Sequence, residues 1–416
     1  METWDIVIVG GGPAGLMAGA RAAKRGKRTL LLEKNRRPGV KILLSGGTRC
    51  NFTHAADARG IVEAFGPSGR FLHSALAAFG PQDVVDLLQS EGVPAKIESD
   101  TGKIFPASDR ASDVLSALIN RLNKGGCTLA PEETLLEIER SADGFNLITS
   151  RRTISANKIL LATGGKSYPA CGTTGDGYRW AAELGHKIIS PHTALAPVTT
   201  HAPWVTALRG ITIADVLVKV IEPQNDGNGK TRCLASRRGS FLFTHFGVSG
   251  PAVLDVSRAI SGYSPAQRLI LQCDFLPGFK QEELDAMIAA GCASAGQRQV
   301  AVILDRWLPR RLADALLDQA EVPLERRGAE LTKPERRRLV MAIKQWPIPV
   351  AGTMGFRKAE VTAGGVALDE VDSRNMQSKI VPGLYFAGEL LDLDGPIGGY
   401  NFQAAFSTGY LAGESM

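Results

Sequence analysis

A short apolar run, Asp5-Ile6-Val7-Ile8-Val9, passes without a gap into Gly10-Gly11-Gly12-Pro13-Ala14-Gly15, and Leu16 to Lys24 then carries an Ala-rich helical pattern. No other stretch limits the fold as much. Gly10, Gly12 and Gly15 stand in the G-x-G-x-x-G spacing. The first permits a tight turn, the second lets a pyrophosphate approach the backbone, and the third lets helix and strand pack closely. The helix that opens at Pro13 and Ala14 then turns its free N–H groups and positive end toward the phosphates. A second run, Thr29-Leu30-Leu31-Leu32, ends in Glu33 and Lys34, where a carboxylate can accept the ribose hydroxyls. Strand, glycine turn, helix and a later acid together predict a dinucleotide site. The plainer alternative is a glycine-rich turn in an unliganded α/β fold.

At 416 residues the chain has material for two or three domains. With 44% hydrophobic and 22% charged residues it has an ordinary globular composition. No apolar stretch reaches the ~18–20 residues of a membrane span, and a strand begins almost at once, so the expectation is a cytoplasmic protein without a leader. The six cysteines (Cys50, Cys127, Cys171, Cys233, Cys273, Cys292) form no C-x-x-C pair and the six histidines are dispersed, which points to neither a disulfide framework nor a zinc site. A net charge of +6 permits a polyanionic partner without requiring one.

Along the chain, residues 1–190 read as a first α/β block. A glycine-rich loop, Lys41–Asn51, follows the opening unit. Helical patterns come at 71–91 and 109–124. Alternating stretches at 134–140, 145–149 and 153–156 suggest a small antiparallel sheet turning at Asp143-Gly144, and Lys158–Gly165 reads as a buried strand entering a glycine turn. From about 191 to 279 the chain looks β-rich, with Val205–Ile213, Asp215–Ile221, Ser240–Phe243 and Arg268–Cys273 as strands and Gln224–Gly229 as a loop. From 280 to 349 it looks helical, broken at Pro309, Pro323 and Pro334. Residues 350–416 return to α/β grammar: Gly383–Glu389 is a strand ending in Gly388 and an acid, and Gly398-Gly399-Tyr400-Asn401-Phe402-Gln403 opens a helix. The expected architecture is a discontinuous nucleotide domain, 1–190 plus 350–416, holding an inserted β-rich domain and a small helical domain.

The first βαβ unit does not separate NAD from FAD, but the other two glycine strands do. A large flavin cofactor needs a close backbone pass, met by Ala162-Thr163-Gly164-Gly165, and an acid with glycine near its phosphates and ribityl chain, met by Gly388-Glu389. A helix starting near Gly399 would aim its positive end at the flavin N1/C2 carbonyl, where reduction develops negative charge.

These segments, with Ile104–Ser112 (IFPASDRAS), Leu161–Gly177, Leu242–Pro251 (LFTHFGVSGP) and Glu360–Gly365 (EVTAGG), resemble the BaiN/RdsA-like (YhiN) family of bacterial flavoproteins nearly end to end, and more closely a side branch of it. The resemblance implies a Rossmann-type FAD domain of the two-dinucleotide-binding kind and an oxidoreductase. It also implies candidate substrates: a uridine of large-subunit ribosomal RNA reduced to dihydrouridine, or a steroid-like enone. On it, cofactor contacts are expected from Gly10, Gly12, Pro13, Ala14, Gly15, Glu33 and Lys34, from Lys41, Ser45, Gly46, Gly47, Arg49, Cys50 and Asn51, from Ala162 to Gly165, from Gly388 and Glu389, and from Gly399, Tyr400, Asn401 and Phe402. The sequence departs from the family at Thr48, where Gly is usual, at His54, where Asn is common, and at Pro169-Ala170-Cys171-Gly172.

Reducing an activated C=C bond needs a hydride from flavin and a proton at the neighbouring carbon. Cys50 is the first candidate donor and His245 the second; ordinary burial and a structural hydrogen bond are their plainer readings. Tyr168 and Tyr400 could stack on or cap the ring system, and Tyr400 is the third candidate catalytic residue. Arg49 could neutralise a phosphate. The basic runs Arg310-Arg311, Arg326-Arg327 and Arg336-Arg337-Arg338 would give RNA its electrostatic footprint, or else lie on solvated helix faces with their interleaved acids. No second glycine fingerprint for NAD(P)H is present, so either a nicotinamide donor binds transiently over the flavin or another reductant serves. Rival readings are a flavin-dependent amine oxidase and a non-enzymatic flavin-binding scaffold.

Overall fold

The first strand, β1 (Glu2–Val9), is apolar on both faces because both are covered: Ile6, Val7 and Ile8 have no exposed surface. In the computed structural model, which describes residues 2–223 and 231–416, β1 lies between β2 (Thr29–Glu33) and the strand Thr153–Leu161, parallel to both. Strand Thr128–Pro131 adds to β2, also parallel. The helix Pro13–Lys24, α1, joins β1 to β2. Gly10–Arg28 is therefore the helical crossover of a βαβ unit.

Sequence pattern divides Thr153–Leu161 into two pieces. The structure has one strand with two kinds of neighbour on the same side. Its first half, Thr153–Ala156, pairs antiparallel with Gly144–Thr149, itself hairpinned to Leu135–Ser141. Its second half, Ile159–Leu161, pairs parallel with Leu384–Phe386. The carboxyl ends of β2, β1, Thr153–Leu161 and Leu384–Phe386 thus line up on one edge, where open α/β sheets bind ligands.

The last helix, Tyr400–Ser415, packs against α1 through small residues. A Cβ on Gly409 would lie 2.3 Å from the Ala14 carbonyl oxygen, and one on Gly413 would lie 2.5 Å from that of Ala18. The two glycines are four apart and share a face. They let the helices approach to backbone contact.

These segments belong to a unit made of Met1–His192 and Glu360–Met416; Thr193–Ala359 forms a second unit. In the second, a seven-stranded sheet runs Trp346–Pro349, Ile270–Asp274, Thr212–Pro223, Thr231–Phe243, Gly247–Ser249, Val198–Thr199, Gly352–Thr353. Its helices Pro251–Ser261, Gln281–Ser294, Arg310–Gln319 and Lys333–Lys344 share one apolar cluster with the sheet, including Phe241, Leu284, Leu316 and Trp346. The β-rich and helical stretches therefore share a core.

Three local expectations change. Val205 and Thr206 sit in the short helix Pro203–Ala207, not in a strand; proline favours a helix start. Residues 71–91 divide into His73–Ala78 and Pro81–Ser90, separated at Phe79-Gly80. Pro334 opens the helix Lys333–Lys344 instead of breaking one. The expected loop at Gln224–Gly229 lies outside the described residues. No described helix is long and apolar enough to cross a membrane.

Candidate active site

Each fingerprint glycine has a separate steric reason. Gly10 has φ 107°, and a Cβ there would lie 2.6 Å from the Ala162 carbonyl oxygen. A Cβ on Gly15 would lie 1.9 Å from the Gly10 carbonyl oxygen, whereas one on Gly12 would meet nothing within 4 Å. The turn is therefore closed at Gly10 and Gly15 and open at Gly12. Gly12 also caps α1 with no side chain, and Pro13 follows it, so the first N–H groups of that helix stay available.

Glu33 is buried at the end of β2. One carboxylate oxygen accepts from the Gly11 N–H and the other from the Asn35 N–H, both at 2.8 Å. It ties the glycine turn to the loop after β2, leaving the second lone pair of each oxygen for a ribose. Lys34 bonds Thr174 and Asp176 at 2.7 and 2.6 Å, so its charge is already matched.

A polar cluster forms where strands Thr153–Leu161 and Leu384–Phe386 end. Gly388 (φ 73°) comes against α1, where a Cβ would lie 3.0 Å from Ala14 Cβ. Glu389 then receives Lys41 Nζ at 2.7 Å, Ser167 Oγ at 2.9 Å and the Thr362 N–H at 2.9 Å. Gly165 makes room: a Cβ there would be 2.4 Å from Thr362 Oγ1 and 2.8 Å from Glu389 Oε1. Beside it, Tyr168 donates to Glu360 at 3.1 Å. Burial, then the neighbouring Glu360, pushes the Tyr168 phenol up to about 12. Thr163 Oγ1 is buried and has no hydrogen-bond partner.

A second group surrounds the start of the last helix. Gly399 (φ 91°) caps it without a side chain, and a Cβ on it would lie 2.4 Å from the Thr53 carbonyl oxygen and 2.8 Å from Asn51 Oδ1. Asn51 Oδ1 is buried without a partner. Thr53 Oγ1 donates to Gln403 Oε1 at 2.5 Å, and Gln403 bonds Ser407 at 2.9 Å. Asn401 holds Gly395 by two bonds, 2.8 and 2.9 Å. Phe402 is half-buried near Phe406, ring centres 6.0 Å apart. Ser167, Thr362, Thr53 and Gln403 are members that sequence reading missed; for Thr362 and Gln403, a polar residue inside the small-residue runs EVTAGG and NFQAA was the available signal.

The loop between these groups is strained. Ser45 bonds the Ile42 carbonyl, and Gly46 (φ 56°), Gly47 (66°), Thr48 (72°) and Cys50 (62°) are all left-handed. A β-branched residue there is an outlier. Thr48→Gly should stabilise the protein by about 0.5–1 kcal/mol, the αL penalty less the glycine entropy cost, measured as a higher urea midpoint.

Several expectations need correcting. Cys50 has no exposed surface, and burial pushes its thiol up to about 12. It packs within the apolar core. Cys50→Ala should cost on the order of 1 kcal/mol in stability while leaving turnover unchanged in a steady-state assay. Arg49 pairs with Glu98 at 2.8 Å and Asp109 at 3.7 Å, over the Phe105 ring at 4.0 Å, so it is no free phosphate ligand. His245, by contrast, is exposed on a turn beside Phe246 and stays a candidate. The basic runs are largely engaged: Arg310 with Asp314, Arg326 with Glu335, Arg336 bidentate with Asp285, and Arg311 and Arg338 on backbone carbonyls.

The arrangement suits FAD. An open glycine turn at one helix start, an uncapped second helix start, and buried unpartnered oxygens on Thr163 and Asn51 are what a long dinucleotide would fill. Comparison agrees: the model of the HI0933-like protein Rossmann domain matches residues 4–415. The chain belongs to the HI0933-like family. It is similar to the ribosomal RNA dihydrouridine synthase of Escherichia coli K12, 33% identical over 100% of this chain and 98% of that one. It is also similar to the 3-dehydro-bile acid delta(4,6)-reductase of Clostridium scindens, 30% identical over 99% and 98%. Among solved structures, Mycobacterium smegmatis Sdh1 in complex with UQ1 aligns with TM-score 0.50 and 17% identity, over 100% of this chain and 69% of that one, which speaks to fold alone. As a member of this family the chain is an FAD-dependent oxidoreductase. The scaffold reading is set aside.

Proposed function

We propose that the chain reduces a C=C bond conjugated to a carbonyl, with a uridine of large-subunit ribosomal RNA as substrate and NAD(P)H as electron source. The observation that carries it is full-length similarity to a ribosomal RNA dihydrouridine synthase at 33% identity, with a second such relative, from Haemophilus influenzae, at 32%. An rRNA substrate would also place the protein in the cytoplasm.

Bound FAD would supply the two-electron chemistry. The chain's own residues divide the remaining work. The open face of Gly12 and the first N–H groups of α1 would hold the pyrophosphate, and the remaining lone pairs of Glu33 the adenosine ribose. Glu389, with its three donors fixed, would orient the chain between phosphates and ring. The uncapped start of the last helix would stabilise negative charge at the ring's carbonyl edge. With Cys50 sealed, Tyr400 and His245 remain from the expected donors of the proton at carbon. RNA attraction would come from cations without an acid partner, Arg311 and Arg338 among them, not from the runs as wholes.

A second reading, reduction of a steroid-like enone, is favoured by the bile-acid reductase at 30% identity over nearly the whole chain. Both substrates present an unsaturated carbonyl. The deciding experiment compares rRNA dihydrouridine by mass spectrometry in cells with and without the gene. Loss of a dihydrouridine supports the first reading. Unchanged rRNA, together with NAD(P)H-dependent reduction of a steroid enone by purified holoprotein, replaces it with the second.

A further inference from the structure

Next to the helix start at Gly399, two rings lie face to face. His54 and Tyr400 have centroids 4.6 Å apart and planes 22° apart. Tyr400 follows Gly398 (φ 130°) and Gly399 (φ 91°), neither of which has a side chain to hold its ring. A Cβ on Gly398 would come 3.2 Å from Tyr400 Cε2 and 3.5 Å from His54 Cδ2. Both rings therefore pass over Gly398.

The imidazole itself is fixed from behind. Its Nε2 lies 3.0 Å from the Thr101 carbonyl oxygen. A carbonyl only accepts, so Nε2 carries the hydrogen and Nδ1 is left as the bare lone pair. Gly102 closes on the same ring; a Cβ there would lie 2.6 Å from Cε1. Nδ1 is buried with no partner. A proton placed there would be a buried charge without an acceptor.

We propose that His54 is a positioning residue: bonded to Thr101 and stacked on Tyr400, it holds the Tyr400 ring beside the open start of the last helix, where the isoalloxazine end of the cofactor belongs, and it does so as a neutral imidazole. This rests on the FAD reading given above. Burial lowers the His54 pKa, the Thr101 bond opposes it, and Lys103, paired with His54 on the neighbouring strand, lowers it further. Tyr400 is the titratable group facing it from the last helix.

The test uses the FAD-loaded full chain and reads bound-flavin fluorescence and FAD affinity between about pH 5 and 8, the range in which histidine titrates. A tyrosine ring held close to an isoalloxazine quenches it by electron transfer, so the wild type should be dim near neutral pH. His54→Phe keeps a stacking ring and should stay dim at every pH. His54→Asn and Tyr400→Leu should both brighten several-fold, with FAD affinity within roughly threefold of wild type. Wild type alone should brighten toward the acid end. Wild-type dimness in His54→Asn, or brightness in His54→Phe equal to that of His54→Asn, overturns the proposal. A wild-type chain that takes up no FAD overturns the cofactor reading and the proposal with it, so the two failures are told apart.

Discussion

Gly12→Ala should fold like the wild type and lose its flavin. Gly12 has an ordinary extended backbone, φ −79° and ψ −175°, and a Cβ there meets nothing within 4 Å, so neither strain nor clash opposes alanine. The added methyl would instead occupy the space through which a pyrophosphate reaches the N–H groups of α1. FAD affinity should fall by a factor of about 100 or more, close to 3 kcal/mol, with the urea midpoint unmoved. Gly15→Ala is the control. Its Cβ would sit 1.9 Å from the Gly10 carbonyl oxygen, so the loss should be in folding, by about 3 kcal/mol. Titration of each apoprotein with FAD, beside its denaturation curve, separates the two. Wild-type affinity in Gly12→Ala would place the phosphates elsewhere.

Glu389→Leu should destabilise the protein before any cofactor is added. It leaves the Thr362 N–H without its acceptor and the Lys41 ammonium without its counter-charge, while Ser167 keeps Lys41 and Thr362 as partners. Removing one partner of a buried ion pair costs about 3–5 kcal/mol. The Lys41 and Glu389 side chains are 24% and 20% exposed, so solvent screening brings the expectation down to about 2–3 kcal/mol. Glu389→Gln keeps an acceptor for Ser167 or Thr362 and should recover roughly half. A wild-type denaturation midpoint in Glu389→Leu would show that the cluster contributes little to folding.

The nucleotide unit was legible because Gly10 and Gly15 answer a local steric demand and Gly12 leaves space for a ligand, and spacing alone displays that. Strand Thr153–Leu161 was harder. Its halves have different neighbours, one antiparallel and one parallel, so its hydrophobic pattern changes midway. For Cys50 the sequence left two readings, proton donor and ordinary burial, and its packing favours the second. The partners of the arginine runs were hidden for a related reason. The carboxylate that takes Arg336 is Asp285, 51 residues earlier. Nearby acids such as Glu335, which takes Arg326 across nine residues, were visible but unassigned. Val205 and Thr206 lean toward β structure by their branching, and Pro203 settled the matter locally.

Ser167 and Glu389 meet across 222 residues of chain. During translation the glycine turn and Glu33 emerge early and find each other. The companion strand Leu384–Phe386, Glu389 and the Gly399 helix start come only after the whole second unit has been made. A nascent chain can thus bury one half of its cofactor groove long before the other half exists. With the cofactor held as proposed, flavin capture would be a late step in biogenesis, and a ribosome stalled within the second unit would carry a half-built, flavin-free cleft.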